Sequence, residues 1–348
     1  MPLKIAVDAM GGDHGPQPVV EAAATALELY PQIEHIFLVG IEKELNARLA
    51  TLSHDRSRLS IVHASEVVTM EDKAVESVRR KRDSSLSRAV DMVKDGKADA
   101  VLSPGNTGAF MAAALIKLRT LPGVERPGLA TVMPSLHGKF LLLDVGANAD
   151  ARPQHLCDYG VMGEIYARQI LGVANPRIGL FSIGTEEMKG NELTLEAHLL
   201  LKDSPMNFIG NIEGHDLFAD KVDVIVTDGF TGNAVLKSCE ATSRLVHAWM
   251  KEELSLNPLR TMGAWLATGA FRDLKKKANP DEYGGAILLG ANGICIKAHG
   301  KANANAICSA LRVAADAITR QVNKLIIEEI RLTHEKEHPA QPAPTIAA

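Results

Sequence analysis

Aromatic residues make up only 4% of this 348-residue sequence, and neither sign of charge dominates: 38 Lys and Arg stand against 42 Asp and Glu, a formal net charge of −4. Scarce aromatics with abundant small residues suit close helix-on-sheet packing better than an all-β sandwich. The slightly acidic balance, with a pI near 6.3, argues against a nucleic-acid binder, which needs a basic excess. Long apolar runs are missing, and none approaches the ~20 residues that span a bilayer. No basic n-region and apolar h-region precede Leu3, so no signal peptide is expected. The four cysteines, Cys157, Cys239, Cys295 and Cys308, lack metal-ligand spacing and sit in apolar surroundings. Buried reduced thiols are expected, not disulfides or a nucleophile, and the protein reads as cytoplasmic.

Familiar catalytic fingerprints are missing as well. No Gly-x-Gly-x-x-Gly follows a strand-like run, no Gly-x-x-x-x-Gly-Lys-Ser/Thr loop occurs, and no Gly-x-Ser-x-Gly elbow is present. His334-Glu-Lys-Glu-His338 matches the letters of a zinc helix, but it lies at a charged helix end running into a Pro-rich tail and offers no apolar face to hold a metal. No metal site is expected.

What is present is an alternation of strand-like and helical segments, the pattern of a mainly parallel sheet with helices on both faces. Leu3–Val7, His35–Gly40, Ala98–Leu102, Arg177–Ile183 and Val222–Val226 read as strands, Leu129–Met133 and Lys139–Leu143 as a hairpin, and Ala286–Leu289 and Ile294–Lys297 as the last strands. Helices are predicted over Pro18–Tyr30, Met70–Arg80, Ala109–Leu118 (capped by Thr107), Pro153–Leu171, Asn233–Leu254 and Asn303–Arg331. Asn257–Lys277 breaks the alternation. Its apolar positions (Leu259, Met262, Leu266, Ala270, Leu274) have helical spacing, with Trp265, Phe271 and basic residues beside them. That pattern fits equally a helical pair packed on the core or another subunit and a protruding element that touches lipid or an acyl chain. Residues 1–332 read as one α/β domain with 255–278 protruding from it, and 333–348 as a disordered tail.

Five apolar runs end in polar, glycine-rich turns: Asp8–Pro16, Ser103–Ala109, Asp144–Asn148, Gly184–Asn191 and Thr227–Asn233. Each alone is ordinary turn chemistry. Together, at strand carboxyl ends, they line a candidate ligand site. Neutral turns rich in N–H groups suit holding an oxyanion better than making a strong nucleophile, and phosphate as the attacking group would need only positioning and a polarised carbonyl. The run Arg79-Arg80-Lys81-Arg82, ahead of Ser84 and Ser85, reads either as a solvated helix end or as an anion contact.

In order along the chain, Asp8-Ala-Met-Gly-Gly-Asp-His-Gly-Pro16, Lys81-Arg-Asp-Ser-Ser85, Ser103-Pro-Gly-Asn-Thr-Gly-Ala109, Asp144-Val-Gly-Ala-Asn148, Gly184-Thr-Glu-Glu187 with Lys189-Gly-Asn191, Thr227-Asp-Gly-Phe-Thr-Gly-Asn233, Tyr283-Gly-Gly-Ala286 and His299-Gly300 resemble the bacterial phosphate acyltransferases of phospholipid synthesis, the PlsX family. The resemblance covers residues 3–330. It implies a three-layer α/β/α sandwich with a mainly parallel sheet, like isocitrate and isopropylmalate dehydrogenases and phosphotransacetylase. It implies transfer of a long-chain acyl group from acyl-[acyl-carrier-protein] to inorganic phosphate, without a cofactor. The acyl phosphate would feed a membrane glycerol-3-phosphate acyltransferase. A cytoplasmic homodimer with peripheral membrane association follows from the same resemblance, and it favours the lipid-facing reading of Asn257–Lys277.

Combined with the turns, the resemblance gives catalytic candidates Asn106, Asp144, Asn148, Asp228, Lys237 and His299. Phosphate or substrate would be held by Gly11, Gly12, Asp13, Ser84, Ser85, Thr107, Gly108, Gly229, Thr231, Gly232, Asn233 and Gly285. Lys237 or His299 would offset negative charge, while Asp8 and Asp13 would orient loops through backbone N–H groups. Carrier-protein or membrane contact would fall to Arg79, Arg80, Lys81, Arg82, Leu259, Trp265 and Phe271. Competing readings are an acyl-CoA phosphotransacetylase, a metal-dependent decarboxylating dehydrogenase of the same fold, and a non-catalytic carrier-binding scaffold.

Overall fold

The computed structural model describes residues 3–52, 55, 57–278 and 284–337. Tyr283, His338 and the tail beyond Glu337 lie outside them. In chain order the first half runs β1 (Leu3–Asp8), α1 (Gln17–Leu29), β2 (Ile33–Gly40), α2 (Glu42–Leu49), β3 (Leu59–His63), α3 (Ala74–Arg80), α4 (Ser85–Lys94), β4 (Ala100–Ser103), α5 (Thr107–Lys117), β5 (Gly128–Pro134), β6 (Lys139–Leu143) and α6 (Pro153–Tyr166), the last prolonged by a π turn. The second half runs β7 (Ile178–Phe181), α7 (Glu192–Asp203), β8 (Phe208–Ile212), β9 (Val224–Val226), α8 (Gly229–Ser255), α9 (Pro258–Leu266), α10 (Thr268–Ala278), β10 (Ala286–Leu289), β11 (Ile294–Lys297), α11 (Ala304–Thr319) and α12 (Val322–Glu337).

The strands form one sheet in the order β3-β2-β1-β4-β11-β10-β5-β6-β9-β7-β8. Side chains alternate across it, as the two-residue period of a strand requires. Ile5 and Val7 enter one apolar cluster and Ala6 the other; Leu141 and Leu143 oppose Phe140 and Leu142 in the same way. Helices α1, α6, α11 and α12 pack on the first face, α4 and α5 on the second. The result is the expected three-layer α/β/α sandwich, with a mainly parallel sheet.

Strand direction decides what those strand exits can do. β1 to β4, β11 and β5 point one way, whereas β10, β6, β9, β7 and β8 point the other, because β10 is antiparallel to both neighbours and β6 is antiparallel to β5. The carboxyl ends of β1, β4 and β11 therefore share one edge, and those of β6, β7 and β9 the opposite one. Five turns read as one convergent set are two sets.

Three boundaries differ from expectation. Helix α3 starts only at Ala74, because the Asn106 side chain claims the carbonyls of Thr69, Met70 and Asp72 and holds that stretch as a turn. The closing helix is broken into α11 and α12 where Gln321 takes a left-handed φ of 53°. Helix α12 continues through Glu337, five residues into the segment read as tail, and His334 turns to the buried Asp158 at 3.0 Å. The helical pair in 257–277 is present as α9 and α10. Beyond Gly229 and Gly232, α8 buries no residue fully and runs outward toward them. No disulfide forms among the described residues, and burial pushes the Cys295 thiol up to about 12, which removes it as a nucleophile.

Candidate active site

At the first edge the chain turns sharply on leaving β1. Asp8, only 2% exposed, accepts N–H groups from Met10 (3.3 Å) and Gly11 (3.2 Å) on Oδ1 and the Ser103 hydroxyl (2.7 Å) on Oδ2. Ser85 bonds the same carboxyl, and burial raises its pKa against the pull of those donors. One carboxylate thus ties the exits of β1 and β4 to the start of α4, the loop-orienting role expected for Asp8. Asp13 differs: its backbone N–H, not its carboxylate, makes the loop contact, donating to the Gly300 carbonyl at 2.7 Å. A Cβ on Gly11 would meet both Asp8 Oδ2 and the Gly105 nitrogen at 2.7 Å, so only glycine lets these turns touch.

The same edge gathers the cations. Lys297 ends β11 and is 6% exposed, and its ammonium donates to the carbonyl of Ala298. Burial lowers its pKa to about 8, with Lys237 acting in the same sense and Asp8 and Asp13 opposing. Lys237 reaches this edge from α8, half-exposed and paired with Glu240 at 3.0 Å. His299 lies two residues past Lys297, and its Nδ1 accepts the Lys301 N–H at 3.0 Å, so in that tautomer Nε2 is the free donor. Burial first, then Lys237, lowers the His299 pKa below its usual 6.5. It is therefore a neutral donor near pH 7, so of Lys237 and His299, the two groups expected to offset negative charge, the lysine is the cation and the histidine a hydrogen-bond donor. Perturbed titratable groups of this kind concentrate at functional sites. Lys297 was missed in the sequence. The available signal was a lone lysine closing the apolar run Ile294-Cys-Ile, two residues ahead of His299.

Several other candidates are occupied with holding the fold. Asn106 is the N-cap of α5, accepting from the Ala109 N–H at 3.0 Å, while its amide donates to three carbonyls of 69–72. Its side chain is thus taken up by these bonds, and it displaces Thr107 as the cap; Thr107 opens the helix, exposed. Gly108 leaves room for Ala74, to which a Cβ would come within 3.0 Å. Ser84 is fully buried, capping α4 at Ser87 and donating to the Lys81 carbonyl, and Ser85 is buried beside Asp8, so neither faces an incoming anion. Lys81 is bound to Asp72 and the Val67 carbonyl. Arg79, Arg80 and Arg82 remain on the surface. Asn106→Ala should cost about 1–2 kcal/mol by loss of the cap, read as a lower midpoint in urea unfolding, with activity falling because 69–72 come loose.

The second edge is organised by Asp144, fully buried, which accepts N–H groups from Leu129 (3.0 Å), Gly146 (3.0 Å), Ala147 (2.9 Å) and Asn148 (2.7 Å). The Asn148 amide bonds Asp144, the Pro127 carbonyl and Tyr159 Oη. Asp228 caps α8 through the Thr231 N–H at 2.9 Å. Gly229 and Gly232 let that helix start against the loop; a Cβ on Gly232 would lie 1.9 Å from the Asp144 carbonyl. Asn233 is exposed beside Gly146. These residues come together with one another, but eight residues of α8, about 12 Å, separate Gly229 from Lys237. Asp144, Asn148 and Asp228 thus build a rigid loop-and-helix start rather than meeting Lys237 and His299. Gly12 and Gly285, by contrast, do reach the first edge: their Cβ positions lie 3.1 Å from the Gly300 carbonyl and 2.6 Å from the Lys297 carbonyl. On the outward arm Leu259 and Trp265 are each 73% exposed, whereas Phe271 is partly covered.

Residues 3–325 match the family model of fatty acid synthesis proteins. The chain is 47% identical over 334 residues to a phosphate acyltransferase of Akkermansia muciniphila, covering 94% of this chain and 96% of that one. It is 49% identical over 330 residues to a phosphate acyltransferase of Lysinibacillus sphaericus, covering 94% and 98%. Among solved structures it resembles EutD phosphotransacetylase from Staphylococcus aureus (TM-score 0.58, 16% identity, 90% and 94% covered) and a phosphotransacetylase from Streptococcus pyogenes (0.58, 20%, 91% and 94%). At such identity the likeness is one of fold.

Proposed function

The chain belongs to the family of fatty acid synthesis proteins and transfers an acyl group to phosphate for phospholipid synthesis, and we propose that its donor is a long-chain acyl-[acyl-carrier-protein]. The near full-length match to phosphate acyltransferases carries the reaction. The first edge supplies a setting for it. An oxygen of hydrogen phosphate attacks the thioester carbonyl carbon, the C–S bond breaks, and the phosphate's proton passes to the departing sulfur, so that acyl phosphate and the carrier thiol are released. Phosphate arrives as an anion, so no strong base is needed. Cationic Lys237 and the Nε2–H of His299 lie where charge must be balanced, and preorganised donors of that kind are the largest single contribution in many acyl transfers. The Gly11-Gly12 turn and Gly285 allow close approach of substrate to backbone.

Carrier docking is assigned to exposed Arg79, Arg80 and Arg82, whose charge suits an acidic partner and should make association salt-sensitive. The arm of α8, α9 and α10, with Leu259, Trp265 and Leu266 each more than 70% exposed, is assigned to a second copy of the chain along α8 and to the membrane surface at its tip. No helix among the described residues is long and apolar enough to cross a membrane, so contact would be peripheral.

The test is mass-spectrometric detection of acyl phosphate. Purified protein, palmitoyl-carrier protein and phosphate should together give palmitoyl phosphate, and omission of any one should abolish it. Turnover of acyl-CoA with an inert carrier thioester would overturn the donor assignment and favour a phosphotransacetylase-like reaction.

A further inference from the structure

We propose that Lys297, as its ammonium, holds the phosphate that attacks the acyl carbon. The proposal rests on the reading that the reaction takes place at the β1–β4–β11 edge. Lys297 is nearly inaccessible, yet it forms no ion pair with any described carboxylate; its bond is to the neighbouring Ala298 carbonyl. Other partly buried lysines of this chain are paired, Lys81 with Asp72 at 2.5 Å and Lys117 with Asp91 at 2.7 Å. An uncompensated buried cation is expensive and is retained where an anion completes it. Asp8 does not fill that place, since its oxygens are taken by Met10, Gly11, Ser85 and Ser103. Gly285 packs directly on the lysine's backbone, its Cβ position 2.6 Å from the Lys297 carbonyl, so no side chain covers it from that side.

The titration of Lys297 follows from the same arrangement. The charged and titratable groups around it are Asp8 from β1, Asp13 from the following turn, Lys237 from α8 and His299 two residues on; burial, with Lys237 in the same sense, outweighs the two carboxylates and sets its pKa at about 8. Below that pH the ammonium is present and phosphate capture is complete; above it, capture is progressively lost. A bound dianion favours the charged form and raises the pKa, so at about pH 8.5 phosphate binding draws in part of a proton at Lys297, the fraction of the lysine that was neutral.

Calorimetric titration of the full chain with inorganic phosphate, at about pH 8.5 in two buffers of different ionisation enthalpy, measures that proton directly. The wild type should take up protons on binding. Lys297→Met should bind phosphate roughly 10–100-fold more weakly, the loss expected for one charge-assisted hydrogen bond, and should take up none. Lys297→Arg should retain affinity within about tenfold but without proton uptake, because arginine stays charged at this pH. Wild-type phosphate binding with no proton uptake sinks the proposal even if the Met variant does not fold. Unchanged affinity in Lys297→Met beside weakened binding in Lys237→Ala would overturn the role of Lys297 and leave the edge standing. Unchanged affinity in both would place the phosphate elsewhere.

Discussion

Asp144→Ala is expected to lower stability by about 3–5 kcal/mol, since each buried donor left without its acceptor costs on the order of 1–3 kcal/mol and water entry relieves only part of the sum. The side chain has no exposed surface and serves the N–H groups of Leu129, Gly146, Ala147 and Asn148 together with the Asn148 amide. Its removal unties the exit of β6 from Leu129 near the start of β5 and from the start of α8, where Gly229 donates to the Asn148 carbonyl at 2.8 Å. Burial raises the Asp144 pKa while the N–H groups draw it back, so the carboxylate is itself held at a cost, and losing the acceptors outweighs the relief of losing the charge. Urea unfolding followed by circular dichroism checks this. A midpoint within about 1 kcal/mol of wild type after extrapolation would mean that the loop is held by other contacts. Asp144→Asn should fall between the two, keeping one acceptor oxygen.

The second large effect falls on activity. Asp8→Ala should reduce kcat/KM for phosphate by about 10²-fold, the scale of loss when reacting groups shift by about 1 Å, with a smaller change in stability than at Asp144. Ser103 keeps a second partner, the Gly105 N–H at 3.1 Å, and the burial cost that raises the Asp8 pKa disappears with the carboxyl. The Gly11-Gly12 turn, the Ser103–Gly105 turn and the start of α4 meet on this one side chain, so they drift apart without it. Asp8→Asn should recover part of the rate by restoring an acceptor for Met10 and Gly11. Steady-state kinetics over a phosphate series, with circular dichroism as the check on folding, decide the matter. Wild-type kcat/KM in Asp8→Ala would show that the loops hold their places unaided.

Much of this protein is fixed locally and was readable as such. The strand runs Leu3–Asp8, Lys139–Leu143 and Ile294–Lys297 alternate between two apolar clusters because a strand has a period of two. The glycine-rich turns follow their strands because no other residue fits there: a Cβ on Gly11, Gly229 or Gly232 would lie within 3 Å of neighbouring atoms. The ordered motifs also pointed to phosphate acyltransferases, and the relatives bear that out.

Strand direction was not readable in this way, because which way a strand points depends on pairing with strands far away in the chain. β10 and β11 close the sheet from near residue 290 between β4 and β5; antiparallel pairing of β5 with both β10 and β6 then sends the exits of β1 and β6 to opposite edges. For the same reason Asn106 looked catalytic and is a cap: its amide finds three carbonyls more than 30 residues away. Lys297 looked like the end of a strand and is a buried cation, because Asp8 and Asp13 after β1, Lys237 on α8 and Gly285 are brought to it from far along the chain. Sequence determined the elements, the turns and the reaction, which depend on residue type and short-range sterics. Tertiary structure alone decided which charged groups share an edge, since desolvation and Coulomb interaction depend on distance in space and not along the chain.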